Sequence, residues 1–439
     1  MVRERQFLEA YTKELSSLQS DGLIMSPTQF QADYEEKTES DVGIWAEIEG
    51  DLNAESIRAK VAGVPYFDED TLIEEAEAFN TSKSWSNAAA SIEFTDACCE
   101  IIHKMKQAAA RDRIHRFQVR FDYINTDLSG VRELTKVKQL LGLDAQVAIY
   151  LGDSKRAFDD TIALFQLARH LQTVPFLQSR LSEYACRRQA LLILQRALEF
   201  DLFSDEQLQA IDDYCKSNSS LGTRWKVSLK EEFGGIASLF VNPNLGLGDV
   251  EVVMPSRGED GLFYLETMRK AWELPTEDWT QFRSMLASLL IDFESKTSDY
   301  WGSRKYELSR TLMPNLMLAA NLFISDAQVH RQARIAIAIR KHWRSHGGFP
   351  SSLASLNLHP ADEFLAYGDK PFGYRIVDAR AVLWGFELGQ AFENVPSSYE
   401  ELLEDEGSRN RNGRLVWWLE PGLHQETAAP SETSEIERK

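Results

Sequence analysis

The chain reads as a mainly α-helical protein, an antiparallel helical bundle or stack with a small α+β module at its C-terminal end. Three observations predict this. The stretch from Val131 to Phe200 repeats its apolar residues every three or four positions, which places them on one face of a helix. Segments of the same period recur over most of the 439 residues. Only after Lys370-Pro371-Phe372-Gly373 does the period drop to two, as a strand requires.

The central stretch divides into three helices. Leu134, Val137, Leu140, Leu141, Ala145, Ala148 and Ile149 share the first face, and Ala157, Phe158, Ile162, Phe165 and Leu167 the second. Gly152-Asp153 separates them, a small residue for a helix end and a carboxylate for the next N-terminus. Pro175 marks the second break. Phe176, Leu177, Leu181, Ala185, Leu191, Leu192 and Leu198 then make a third helix. Connections this short make successive helices antiparallel.

Further helices are expected on both sides. Phe7, Leu8, Tyr11, Leu15 and Leu18 share a face over residues 5–19. Ser26-Pro27-Thr28 opens a short helix, residues 88–110 form another, and Ser204-Asp205-Glu206-Gln207 is a strong helix start. Residues 241–261, rich in Gly, Pro and Asn, read as a long loop with a short strand at 250–253. Helices resume at 279–293 and 304–322, the latter kinked or restarted at Met313-Pro314. A long helix from Asp326 to His346 ends at Gly347-Gly348. Beyond it, Tyr374, Ile376, Trp384 and Phe386 are expected on one face of a hairpin or three-stranded sheet, with a last strand at 414–419. This gives four regions: an acidic helical region at 1–110, a helical body at 111–325, the α+β module at 326–422, and a disordered tail at 423–439.

The formal charge of −20 disfavours non-specific binding to nucleic acid or anionic membranes. Much of the acid excess lies before residue 100, in Glu35, Glu36, Glu47, Glu49, Asp68, Glu69, Asp70, Glu74, Glu75 and Glu77. Cys98, Cys99, Cys186 and Cys215 form no zinc or redox spacing. No apolar run reaches the ~18 residues that span a bilayer, and the first residues lack a signal-peptide core. These features read as a cytoplasmic protein, with a cell-envelope or periplasmic location as the alternative if an upstream anchor has been removed.

Two local patterns resemble known families. Around AIYLGDSKRAFDDTIALF, the Gly152, Asp153 and Ala157 positions resemble one tetratricopeptide unit of roughly 34 residues. The unit departs from the pattern at Thr161, where an aromatic is expected, and in the late Pro175. The C-terminal order of a long helix, HGGFPSSLASL, DKPFGYRIVDARAVLWGFELG and GRLVWWLEP resembles the globular end of type II secretion major pseudopilins. Gly348-Phe349-Pro350 matches the first turn of that pattern, and Asp369, Pro371, Gly373 and Tyr374 match the second loosely. With the central helices, the layout is similar to uncharacterised bacterial proteins that join a helical body to such a module. The resemblance implies no activity. The apolar N-terminal spine of pseudopilins is missing here. The acidic loop in which they hold calcium would be Glu400, Glu401, Glu404, Asp405 and Glu406, whose spacing suits a helix turn better than a calcium site.

Few residues point to chemistry. Glu100 and His103 form a single E-x-x-H, whereas di-iron bundles use two with further glutamates. His342 and His346 lie one turn apart among basic residues, which disfavours a cation. Gly246-Leu247-Gly248-Asp249 lacks the strand and helix of a nucleotide loop. Arg111, Arg113, Arg116 and Arg120 alternate with Ile114, Phe117 and Val119, as on a buried face with snorkelling arginines. No cofactor or metal site is assigned. The expected function is a non-catalytic scaffold or protein-interaction component. The alternative is a hydrolase whose acidic active site assembles only in the fold. The candidate partner-binding residues are Arg331, Arg334, Arg340, Lys341 and Arg344 on the basic helix. That helix is expected either to pair with the acidic N-terminal region or to hold an acidic protein partner.

Overall fold

A computed structural model of the chain describes residues 2–39, 43–64, 67, 85, 87–111, 114–123, 125–217, 221–242, 257–358, 371–377, 379–385 and 416–419. It is mainly helical, with a small antiparallel sheet near the C-terminus. The expected strand at 250–253, the G-x-G loop, the calcium-loop acids, Phe386, and the tail lie outside the described residues. Among the described residues no helix is long and apolar enough to cross a membrane.

The N-terminal helices are α1 (Val2–Ser20), α2 (Pro27–Lys37), α3 (Gly43–Leu52), α4 (Glu55–Arg58), α5 (Ala88–Ala97) and α6 (Cys99–Ala109). The Ser26 hydroxyl caps α2 by accepting from the Gln29 amide at 3.2 Å, with proline in the first turn. Strands β1 (Thr38–Glu39) and β2 (Ile114–His115) form a short parallel pair. The Arg116 region is therefore extended, with Phe117 buried and Arg116 reaching Glu35 at 3.5 Å.

The three central helices are α7 (Ser129–Leu151), α8 (Ser154–Leu171) and α9 (Leu177–Glu199), and α9 packs against both others. Gly152 ends α7 at φ 74°, a left-handed conformation suited to glycine. The Asp153 carboxylate then accepts from the Arg156 amide at 3.0 Å and caps α8. Ala157 follows with no exposed surface.

Next come α10 (Asp205–Ser217), α11 (Leu221–Ile236), α12 (Arg257–Trp272), α13 (Trp279–Thr297), α14 (Tyr300–Lys305) and α15 (Glu307–Leu312). The chain breaks at Met313-Pro314 and restarts as α16 (Leu316–His346), capped by Asn315. The long helix thus begins ten residues before the expected Asp326. No glycine or proline interrupts residues 316–346, so Asp326 is an interior position and not a start.

Two apolar cores cut across the expected region boundaries. One joins α2, α3, α5 to α10, the second half of α16, and the sheet. The other joins α1, α11, α12, α13, α15 and the first half of α16. Thus α1 leaves the rest of the N-terminal region and lies on α12. A side chain at Gly258 would collide there with the backbone of Phe7 and Leu8 at 2.5 and 2.2 Å. Helix α16 passes from one core to the other between Ala327 and Val329.

The sheet has the order β3 (Gly373–Val377), β4 (Arg380–Trp384), β5 (Val416–Leu419), all antiparallel. Tyr374 opposes Leu383 and Ile376 opposes Ala381, whereas Trp384 opposes Gly373. Ala381, Leu383, Trp417 and Leu419 bury in the first core. Trp384 is therefore on the other face from Tyr374 and Ile376, contrary to the expected grouping. The Tyr374 hydroxyl donates to the Pro350 carbonyl at 2.7 Å, tying the sheet to the turn after α16.

Candidate functional site

The five basic candidates on α16 do not form an open surface. Arg334 Nε meets Asp212 Oδ1 at 2.8 Å, and Lys341 Nζ meets Gln209 Oε1 at 2.7 Å. Arg340 is fully buried and donates to the Leu198 carbonyl. Arg344 holds Asp201 at 2.6 Å, Asp205 at 2.7 Å and the Phe203 carbonyl at 2.6 Å. Arg331 is half-buried on the same helix. These bonds run to the end of α9, the α9–α10 connection and α10, not to the acidic N-terminal region as one reading expected. The physical reason is the packing of α16 on α10, which brings local carboxylates within reach. Described N-terminal acids have nearer bases: Glu47 and Asp51 take Lys104 at 2.6 and 2.9 Å, and Glu93 takes Lys60 at 2.9 Å.

A different group of charges converges inside the protein. Arg180, Glu183 and Arg187 stand on one side of α9, Arg224 and Glu231 on α11, and Asp326 and His330 on α16. Arg187 Nη2 donates to Asp326 Oδ2 at 2.7 Å and also bonds Glu183. Arg224 bonds Glu183 and lies 3.5 Å from Asp326. Arg180 reaches Glu231 at 3.1 Å and the Ser228 hydroxyl at 3.2 Å. Glu183 thus sits among three guanidinium groups and Asp326 between two, the arrangement that makes buried charge tolerable.

The electrostatics follow from burial and neighbours. Burial would raise the Asp326 carboxyl, but Arg187, His330 and Arg224 outweigh it and hold it below the usual range. Burial lowers His330, against the opposing pull of Asp326, and its Nδ1 is 2.7 Å from the Asp326 carbonyl. Burial and Arg187 push Arg224 down, and burial pushes Glu231 up.

Four members of this array, Arg180, Arg187, Arg224 and Asp326, line a pocket together with Leu177, Leu181 and Tyr184 of α9 and Ala319, Leu322 and Phe323 of α16. Tyr184 Oη lies 3.5 Å from Ser325 Oγ, Arg187 pairs with Asp326, and the Leu198 carbonyl with Arg340. The two helices therefore run in the same direction and pack together, and the pocket is a small half-open cleft between their first halves. Leu181 is 41% exposed at its edge, and Leu318, one turn before Leu322, is 51% exposed. Arg188 continues the Leu181–Tyr184 stripe and donates to Tyr184 Oη at 3.2 Å.

A second buried cluster joins α6, α7 and α8. Lys106 Nζ lies 3.3 Å from Asp144 and 2.7 Å from Asp160, and Arg156 also holds Asp144. Burial and the neighbouring Asp144 push the Asp160 carboxyl well up. Asp160 has no exposed surface, so it could not reach a substrate from this position. The E-x-x-H histidine, His103, is exposed and bonds Gln107 at 2.8 Å. His342 and His346 stack at 4.1 Å. Among the described residues no group of three or more metal-ligating side chains converges.

The α9–α16 cleft was not anticipated. The visible signal was the i, i+3, i+7 spacing of Arg180, Glu183 and Arg187 in a helix read as apolar. Its partners Arg224 and Asp326 are distant in sequence. Comparison with family models, with curated proteins and with solved structures found no match for this chain.

Proposed function

We propose that the protein is a non-catalytic interaction component that receives a partner segment in the cleft between α9 and α16. The observation that carries this reading is the cleft itself: exposed Leu181 lines it together with Leu322, Phe323 and buried charges, and exposed Leu318 stands one turn before Leu322 on the same helix. Isolated exposed leucines are ordinary, but apolar residues gathered along a concave seam are a common feature of helix-in-groove recognition. The described acids near the cleft support the same reading, because they meet guanidinium groups that hold them in place.

The test is site-specific crosslinking in cells that make the full chain. A photoreactive benzoylphenylalanine replaces Leu181 or Leu318, and in a control it replaces Ser288, an exposed residue of α13. The expected outcome is one discrete adduct from both cleft positions and none from Ser288. No adduct from the cleft, or the same adducts from all three positions, would discard the proposal.

A further inference from the structure

We infer that the segment bound in this cleft is acidic and amphipathic, with an apolar residue against Leu181 and Leu322 and a carboxylate on Arg188. The inference rests on the docking role proposed above and adds the partner's chemistry.

Arg188 carries the argument. The other arginines around the cleft have carboxylate partners: Arg180 has Glu231, Arg187 has Glu183 and Asp326, and Arg224 has Glu183. Arg188 donates only to the Tyr184 hydroxyl, and no carboxylate among the described residues pairs with it. It is half-buried, so part of its hydration is already lost. A planar guanidinium in that position is suited to a carboxylate, which it can hold through two parallel hydrogen bonds.

The geometry sets the spacing. Leu181 and Arg188 lie on one stripe of α9, separated by seven positions. At 1.5 Å per residue this is roughly 10 Å, two helical turns. A helix lying along the cleft would therefore present its apolar residue and its acid seven positions apart. The overall charge of −20 opposes an acidic partner at long range. At physiological salt that field is screened beyond about 8 Å, so the local guanidinium decides the contact.

The probes are two dye-labelled amphipathic helical peptides, identical except that glutamate or lysine follows a leucine seven positions on. Binding to the full chain is read by fluorescence anisotropy. The leucine–glutamate peptide should bind and the lysine peptide should bind at least about tenfold more weakly. Arg188→Glu should reverse the preference, while Arg188→Lys should keep its direction. Circular dichroism confirms that each variant is folded. Equal binding of the two peptides, no binding of either, or an unreversed preference in Arg188→Glu overturns the acidic-partner inference. Crosslinking from Leu181 and Leu318 in the same outcome would leave the docking cleft standing, and its absence would remove both.

Discussion

Arg187 Nη2 and Asp326 Oδ2 meet at 2.7 Å inside the protein, joining two helices whose contact residues are 139 positions apart. Both side chains are almost wholly buried, at 2% and 4% exposure. Removing one partner leaves the other charged in a low-dielectric site, which costs about 3–5 kcal/mol. Asp326→Leu should therefore lower the urea midpoint strongly. Arg187→Met combined with Asp326→Leu should cost less than the sum of the single changes, since the double variant strands fewer charges. Additive costs in a double-mutant cycle would show that the pair is not coupled.

His330 makes the same junction sensitive to acid. Its folded pKa lies below its ordinary value, so the unfolded chain binds the proton more readily. This contribution is full above about pH 6.5 and is lost as the pH falls below it. Asp326, also depressed, loses its contribution later, as the pH falls below its unfolded value of 3.8. Arg187, Arg224, Asp326 and the ring of Phe165 face the imidazole. His330→Asn should gain stability relative to the parent as the pH is lowered from about 7 to about 5. A constant difference in melting temperature across that range would mean that His330 protonates equally in both states.

Asp260 should act in the opposite sense. Its carboxylate caps α15, accepting from the Leu308 and Ser309 amides at 3.0 and 3.2 Å. Burial nevertheless pushes it up to about 6. A raised folded pKa favours the native state below the unfolded value of 3.8, and that contribution is lost as the pH rises through about 6. Asp260→Asn keeps an acceptor for the cap and removes the titration. Its stability relative to the parent should rise between about pH 4 and pH 6. Denaturant titrations at those two pH values decide the matter.

Helices were legible because their burial follows a local rule. Leu134, Val137, Leu140 and Leu141 are all buried, as their spacing required. The face of Trp384 was not legible, because it depends on a register that one turn sets. Val377 pairs with Arg380, and Ala379 between them is left-handed at φ 63°. Even-numbered residues of β3 therefore oppose odd-numbered residues of β4, which puts Trp384 on the other face from Tyr374. The charged junction was hidden for a related reason. Arg180, Glu183 and Arg187 could be seen to share a side of one helix, but nothing local announced Arg224 or Asp326. The start of α16 was misplaced because Asp326 resembles a cap, although its carboxylate turns inward to Arg187.

The register correction gives a direct comparison. Trp417 is fully buried against the first core, whereas Trp384 is half-buried and carries Arg375 over its ring at 5.8 Å. Trp417→Ala should cost about 3–5 kcal/mol, and Trp384→Ala distinctly less. If Trp384→Ala is the more damaging change in urea denaturation, the register is wrong.

Arg344 bonds the Asp201 carboxylate and the Phe203 carbonyl, both at 2.6 Å, and so fixes the α9–α10 connection. Asp201 sits there at φ 52°, a conformation that costs a residue other than glycine some energy. The clamp offsets that cost only while its hydrogen bonds persist. Arg344 retains 22% exposure, so solvent screens part of its attraction. Geometry distinguishes its two roles. Lysine can supply the charge but not the planar set of donors that reaches carboxylate and carbonyl together. Arg344→Ala should destabilise by about 1–3 kcal/mol, and Arg344→Lys should recover less than half of that loss. Amide exchange at residues 200–204 should accelerate in both variants. Complete recovery by lysine would show that charge alone acts here. Unchanged exchange would show that the connection is held by its apolar contacts, with Phe203 buried beneath it.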